Sequence, residues 1–156
     1  MQDINVVCDY TIFRLKSEDE YSCSNLKLQK LLYYIQAWHL AFYNEPLFDG
    51  KFQAWIHGPV NRDIYDRFKD SKSLYSEITK EDISNLNFDA ILEEKKKHID
   101  IVLETYAGLP GYELERMTHE EDPWVSARKG FTATQRCDVD IDEPLMAKYY
   151  KSRLKE

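Results

Sequence analysis

The stretch that decides the fold is Leu26–Asn44, LKLQKLLYYIQAWHLAFYN. Leu28, Leu31, Leu32, Ile35, Trp38 and Phe42 recur at helical spacing and form one stripe, while Tyr33, Tyr34, Ala37, Leu40 and Ala41 fill other faces. A helix apolar on so many sides is expected to sit centrally, with neighbours packed around it. It is too short and too polar at its start for a membrane span, which needs about 18 or more apolar residues in a row.

Working outward, Ile4, Val7, Cys8, Ile12 and Leu15 make one apolar stripe of a first helix that Asp3 is placed to cap, and the polar turn SEDEYSCS separates it from the central one. Downstream, Asn44, Pro46 and Gly50 mark a loop, and KFQAWIH (51–57) alternates enough to predict a short strand with Phe52, Ala54 and Ile56 on one side. Gly58 and Pro59 are expected to stop the strand. Pro59, with its φ already set, then opens a third helix with Val60, Ile64, Tyr65 and Phe68 as its stripe. SKSLYSEITKEDISNLN (71–87) reads as a connection with a helical turn near Ser84, and Phe88 to Tyr106 as the longest helix, ended by Gly108 and Pro110. GYELERMTHEEDPWVSARKG (111–130) predicts two short helices broken at Asp122 and Pro123. A last helix in DEPLMAKYYKSRLKE (142–156) has Asp142 as cap and Pro144 in its first turn. The sum is a mainly α fold, a compact helical bundle in one domain over 1–156, with one or two short β-strands.

The 156 residues carry 28 acidic and 21 basic side chains, for a net charge of −7. That balance repels phosphate backbones, no local basic stripe is visible along the sequence, and no nucleic-acid partner is expected. The acidic excess lies mostly in the C-terminal half, which would attract a basic partner. The start MQDINVVCDY lacks the pattern of a signal peptide, so a cytoplasmic location is expected, with no membrane partner. Cys8, Cys23 and Cys137 are odd in number and widely spaced, and read as reduced thiols rather than a disulfide framework or a zinc site.

Among His39, His57, His98 and His119 no pair has metal-ligand spacing, and no metal is expected; His119 with Glu120, Glu121 and Asp122 reads as a first-turn charge pattern. His57, ahead of Gly58 and Pro59, reads as a turn holder, with no nucleophile motif beside it. No Walker lysine pattern and no GxGxxG occur. No catalytic residue and no cofactor are therefore expected. Trp38, Trp55 and Trp124 fit a core role better than a contact role. Arg62, Asp63, Asp66 and Arg67 fit a solvated face, and Lys95, Lys96 and Lys97 fit pairing with Glu93 and Glu94.

Three ordered motifs alter this reading: KLQKLLYYIQAWHLAF, then PLFDGKFQAWIHGPV followed by IY, then LERMTHEEDPWVSAR. In order and spacing they resemble the Panacea domain, an antitoxin domain also found in phage-associated GepA-like and SocA-like proteins, and IDEPLMAKYY resembles its closing helix. The resemblance implies a mainly helical, non-enzymatic protein that binds and neutralises a cognate toxin encoded beside it. Panacea domains are paired with toxins of unrelated kinds, so the resemblance names none. It also implies a second reading, an adaptor delivering a toxin or other partner to a cytosolic protease. A stoichiometric inhibitor needs about 800 Å² of partner-facing surface with a few aromatic or Arg anchors. Trp55, Arg62, Tyr65 and Trp124, around the strand and third helix, are the expected partner-binding residues.

Overall fold

The computed structural model describes residues 1–17 and 20–155. Among these are seven α-helices and one small antiparallel sheet: α1 (Ile4–Ser17), α2 (Asn25–Tyr43), β1 (Phe52–Trp55), β2 (Gly58–Asn61), α3 (Arg62–Phe68), α4 (Glu93–Tyr106), α5 (Gly111–Glu120), α6 (Asp122–Ala127) and α7 (Glu143–Ser152). The chain is mainly α, and none of the described helices is long and apolar enough to cross a membrane. Glu18 and Asp19, within the turn expected after α1, lie outside the described residues.

α2 is the axis. Ser24 caps it by accepting from the Lys27 N–H at 3.1 Å, and Asn44 ends it with φ 57°, a left-handed conformation that Asn tolerates. α7, α4, α5 and the hairpin all pack against it. Its polar side chains also turn inward and hold backbone. Gln36 is wholly buried; it donates to the Phe48 carbonyl and accepts from the Leu47 N–H, tying down the loop after the helix. Phe42 departs from the expected stripe: it is 52% exposed, although its ring lies beside Trp38 and His98.

Several expected boundaries move. Pro59 and Val60 lie in β2, antiparallel to β1 with Ala54 opposite Pro59, and α3 begins only at Arg62. The helix start falls there because Asn61 supplies the cap, its Oδ1 accepting from the Ile64 N–H at 3.1 Å. The fourth helix begins at Glu93 rather than Phe88, the short turn in the connection is a 3-10 turn at Lys80–Asp82, and the break between α5 and α6 falls at Glu121. The terminal signals of α1 and α7 behave as expected: Asp3 accepts from the Asn5 N–H at 2.7 Å and Asp142 from the Leu145 N–H at 2.9 Å.

Arg67 does not belong to a solvated face. Its guanidinium reaches Asp9 on α1, whose side chain is 5% exposed and also accepts from the Ser84 and Asn85 N–H groups. This pair joins α1, α3 and the connection before α4. All three cysteines are buried and free, and burial pushes the Cys8 and Cys23 thiols up to about 12.

A candidate partner-binding groove

β2 leaves one edge facing α2, and two polar side chains of that helix satisfy it. Gln29 accepts from the Asn61 N–H at 2.9 Å and donates to the Asn61 carbonyl at 3.2 Å, acting as a substitute strand. Lys30 donates to the Pro59 carbonyl at 3.1 Å. Gly58 makes this approach possible: its φ is 104°, and a Cβ there would collide with Lys30 Cε. The other edge of the sheet is covered too. The Ala54 N–H donates to the Val139 carbonyl and the Ile141 N–H to the Phe52 carbonyl, so the segment before α7 runs beside β1.

Between these parts lies an open groove of about 630 Å³, bordered by α2, the hairpin, α3 with the residues after it, and the loop at Arg136–Asp138. Trp55, Arg62 and Tyr65 meet on its wall. The Trp55 and Tyr65 rings pack edge to face with centroids 4.9 Å apart, and the Arg62 guanidinium stands 5.9 Å and 5.8 Å from them. Arg62 and Tyr65 are exposed and Trp55 half-buried.

Trp124 sits behind that wall. It is only 8% exposed, its indole N–H donates to the Trp55 carbonyl at 2.9 Å, and His119 stacks on it with centroids 4.0 Å apart. The Arg128 guanidinium stands over the Trp124 ring, 5.1 Å from its centroid, and is itself buried; it donates to the carbonyls of Ala54, Thr132 and Gln135. One guanidinium thus joins the hairpin to the loop that carries Arg136.

His57 occupies the hairpin turn but bonds a side chain rather than the turn's backbone, with Nδ1 3.0 Å from Glu115 Oε2. The acidic run around His119 is not a plain first-turn pattern. Glu121 turns inward, where Tyr34 and Tyr150 donate to its Oε1 at 2.8 Å and 2.7 Å, and burial raises its carboxyl pKa. Among the described residues no group of three His, Cys, Asp or Glu is placed to hold a metal ion. Lys96 pairs with Glu93 at 3.4 Å as expected, while Lys95 instead stands over Tyr43 and meets His39 Nε2.

The cations of the groove escape a linear reading. Lys30, Arg62, Lys69, Lys72 and Arg136 all border it, brought from α2, α3, the residues after α3 and the loop before α7. The expectation that the chain lacks a local basic surface is thereby corrected. The only early signal was Lys30 itself, a charge set among apolar residues on the central helix.

A family model described as antitoxin SocA-like, Panacea domain, matches residues 28–125, and the chain belongs to that family. The match runs from α2 to α6, and so contains the hairpin, α3 and Trp124. No curated protein and no solved structure matches the chain.

Proposed function

We infer that this chain, folded as one domain and acting in the cytoplasm, silences a cognate toxin encoded by an adjacent gene, by direct binding and without chemistry of its own. The observation that carries the reading is the Trp55–Arg62–Tyr65 cluster: aromatic and Arg side chains of the kind that dominate binding energy, held at the wall of an open groove. Trp124, Arg128 and Gln29 hold the backbone behind it, so the anchors stand ready before a partner arrives. Membership of an antitoxin family supports the choice of a toxin as that partner. The groove is an anchor site within a wider contact of about 800 Å² on each side.

The test is co-expression with the product of the adjacent reading frame. Growth is restored and the two proteins co-purify, whereas Trp55→Ala and Arg62→Ala each weaken the complex by roughly tenfold or more. Failure of both rescue and co-purification overturns the reading. A protease-dependent fall in toxin level would instead mark the chain as an adaptor for a cytosolic protease.

A further inference from the structure

The groove opposes the sign of the chain around it. In a protein of net charge −7, its formally charged lining is Lys30, Arg62, Lys69, Lys72 and Arg136 against Asp138 alone. Nearby carboxylates leave much of this charge unanswered. Asp66 is shared between Arg62 at 3.7 Å and Lys69 at 3.5 Å, and Asp82 holds Lys72 at 3.1 Å. Among the described residues, Lys30 and Arg136 form no ion pair. Lys30 lies beneath the floor with no exposure, its Nζ donating to the Pro59 carbonyl, and burial lowers its ammonium pKa, so the cations a ligand meets are Arg62, Lys69 and Arg136. Leu26, Ile56, Val60 and Leu74 add apolar surface between the cations.

We propose that this groove receives an acidic polypeptide segment of the toxin, its carboxylates meeting Arg62, Lys69 and Arg136 and an apolar side chain seated between Trp55 and Leu74. The proposal rests on the antitoxin reading and names the chemistry of its partner. Three observations favour an extended acidic segment. The cations come from separate elements and line the groove, where a single phosphate would need donors converging on one point. The helix starts at the groove, those of α2 and α3, already have N–H groups taken: Asn25 and Leu26 donate to the Ser76 and Leu74 carbonyls, Lys27 to Ser24, and Ile64 to Asn61. A long nucleic acid would meet the repulsion of the remaining acidic surface, whereas a short segment meets only the groove.

The experiment uses the purified chain and a fluorescein-labelled, end-blocked peptide of alternating Glu and Leu with a central Phe, alongside its Gln counterpart. Anisotropy titration gives saturable binding of the Glu peptide alone, weakened about tenfold on raising salt several-fold. Arg62→Ala and the double change Lys69→Glu, Arg136→Glu each weaken it by roughly tenfold, while Lys97→Glu, exposed on α4, leaves it unchanged. Equal binding of the Gln peptide, no binding of the Glu peptide, or indifference to the double change overturns the proposal. Displacement of the peptide by a short single-stranded RNA also overturns it, in favour of a polyanion site. The two readings separate in the co-expression assay. If the double variant still silences and co-purifies with the toxin, the acidic-segment proposal falls and the antitoxin reading stands. If the parent chain does neither, both fall.

Discussion

The indole N–H of Trp124 donates to the backbone carbonyl of Trp55 at 2.9 Å, so a buried ring in α6 sets the position of a half-buried one in β1. Replacing Trp124 by Phe keeps an aromatic surface against His119 and Arg128 but removes the indole donor to that carbonyl. The expected cost is about 1–2 kcal/mol in urea unfolding. Trp124→Ala, which opens a cavity as well, costs about 3–5 kcal/mol. A Phe variant as stable as the parent would remove this bond from the account of how Trp55 is placed.

The Asp9–Arg67 pair makes a different prediction. Asp9→Ala strands a guanidinium whose side chain is only 14% exposed and frees two backbone N–H groups, at an expected cost of about 3–5 kcal/mol. Adding Arg67→Met to Asp9→Ala recovers much of that loss, because no unpaired charge then remains. Denaturant midpoints of the single and double variants decide the matter.

Lys30 gives a pH dependence with a definite sign. Burial lowers its ammonium pKa from 10.5 to about 7, with Glu115 opposing the shift. Between those values the unfolded chain binds the proton and the folded chain has released it, so this residue's contribution to stability rises with pH across the window. Below about pH 7 both states are protonated and its contribution is level. Stability of the parent relative to Lys30→Met is therefore expected to climb from pH 7 towards pH 10, and a constant difference there would contradict the burial argument.

Glu121 has the opposite slope. Burial holds its folded pKa above the usual 4.5 despite the two tyrosine donors, so the folded chain keeps a proton that the unfolded one has lost. Its contribution is present at acid pH and lost as pH rises through the folded value. Glu121→Gln, neutral at every pH and still able to accept from both hydroxyls, is expected to gain on the parent as pH is raised from 4.5. Paired urea titrations at acid and neutral pH test it.

Gly58, in the hairpin beside the groove, has the tightest surroundings of the chain's five glycines. At φ 104° an L side chain is strained, and its Cβ would also strike Lys30 and stand 3.0 Å from Thr118 Oγ1. Gly58→Ala is expected to cost about 1–3 kcal/mol and, on the proposed function, to weaken toxin binding through the displaced hairpin. Gly108→Ala, with nothing within 4 Å of the added methyl, is the matched control.

The central helix and the last one were legible because their signals are local: apolar residues on many sides of Leu28–Ala41, and Asp142 followed by Pro144. The second strand was not. Pro59 suits a first helical turn equally well, and what decides for a strand is the hydrogen bonding of Gln29 and Lys30, some thirty residues earlier in the chain. Arg67 reads as surface for the same reason, since its partner Asp9 sits on another helix. Of the candidate site, Trp55, Arg62 and Tyr65 were recoverable from a short stretch. The cationic lining was hidden, because its members are separated by acidic residues in sequence and sorted by sign only once the helices pack.

Arg128 bears on the kinetics of recognition. Because its guanidinium latches the hairpin to the 132–135 turn, both banks of the groove keep their spacing in the free protein. The entropy of arranging them is lost once, during folding. Encounter with the toxin proposed above should accordingly resemble the docking of two finished shapes, with single-step association and tuning left to the rate of escape.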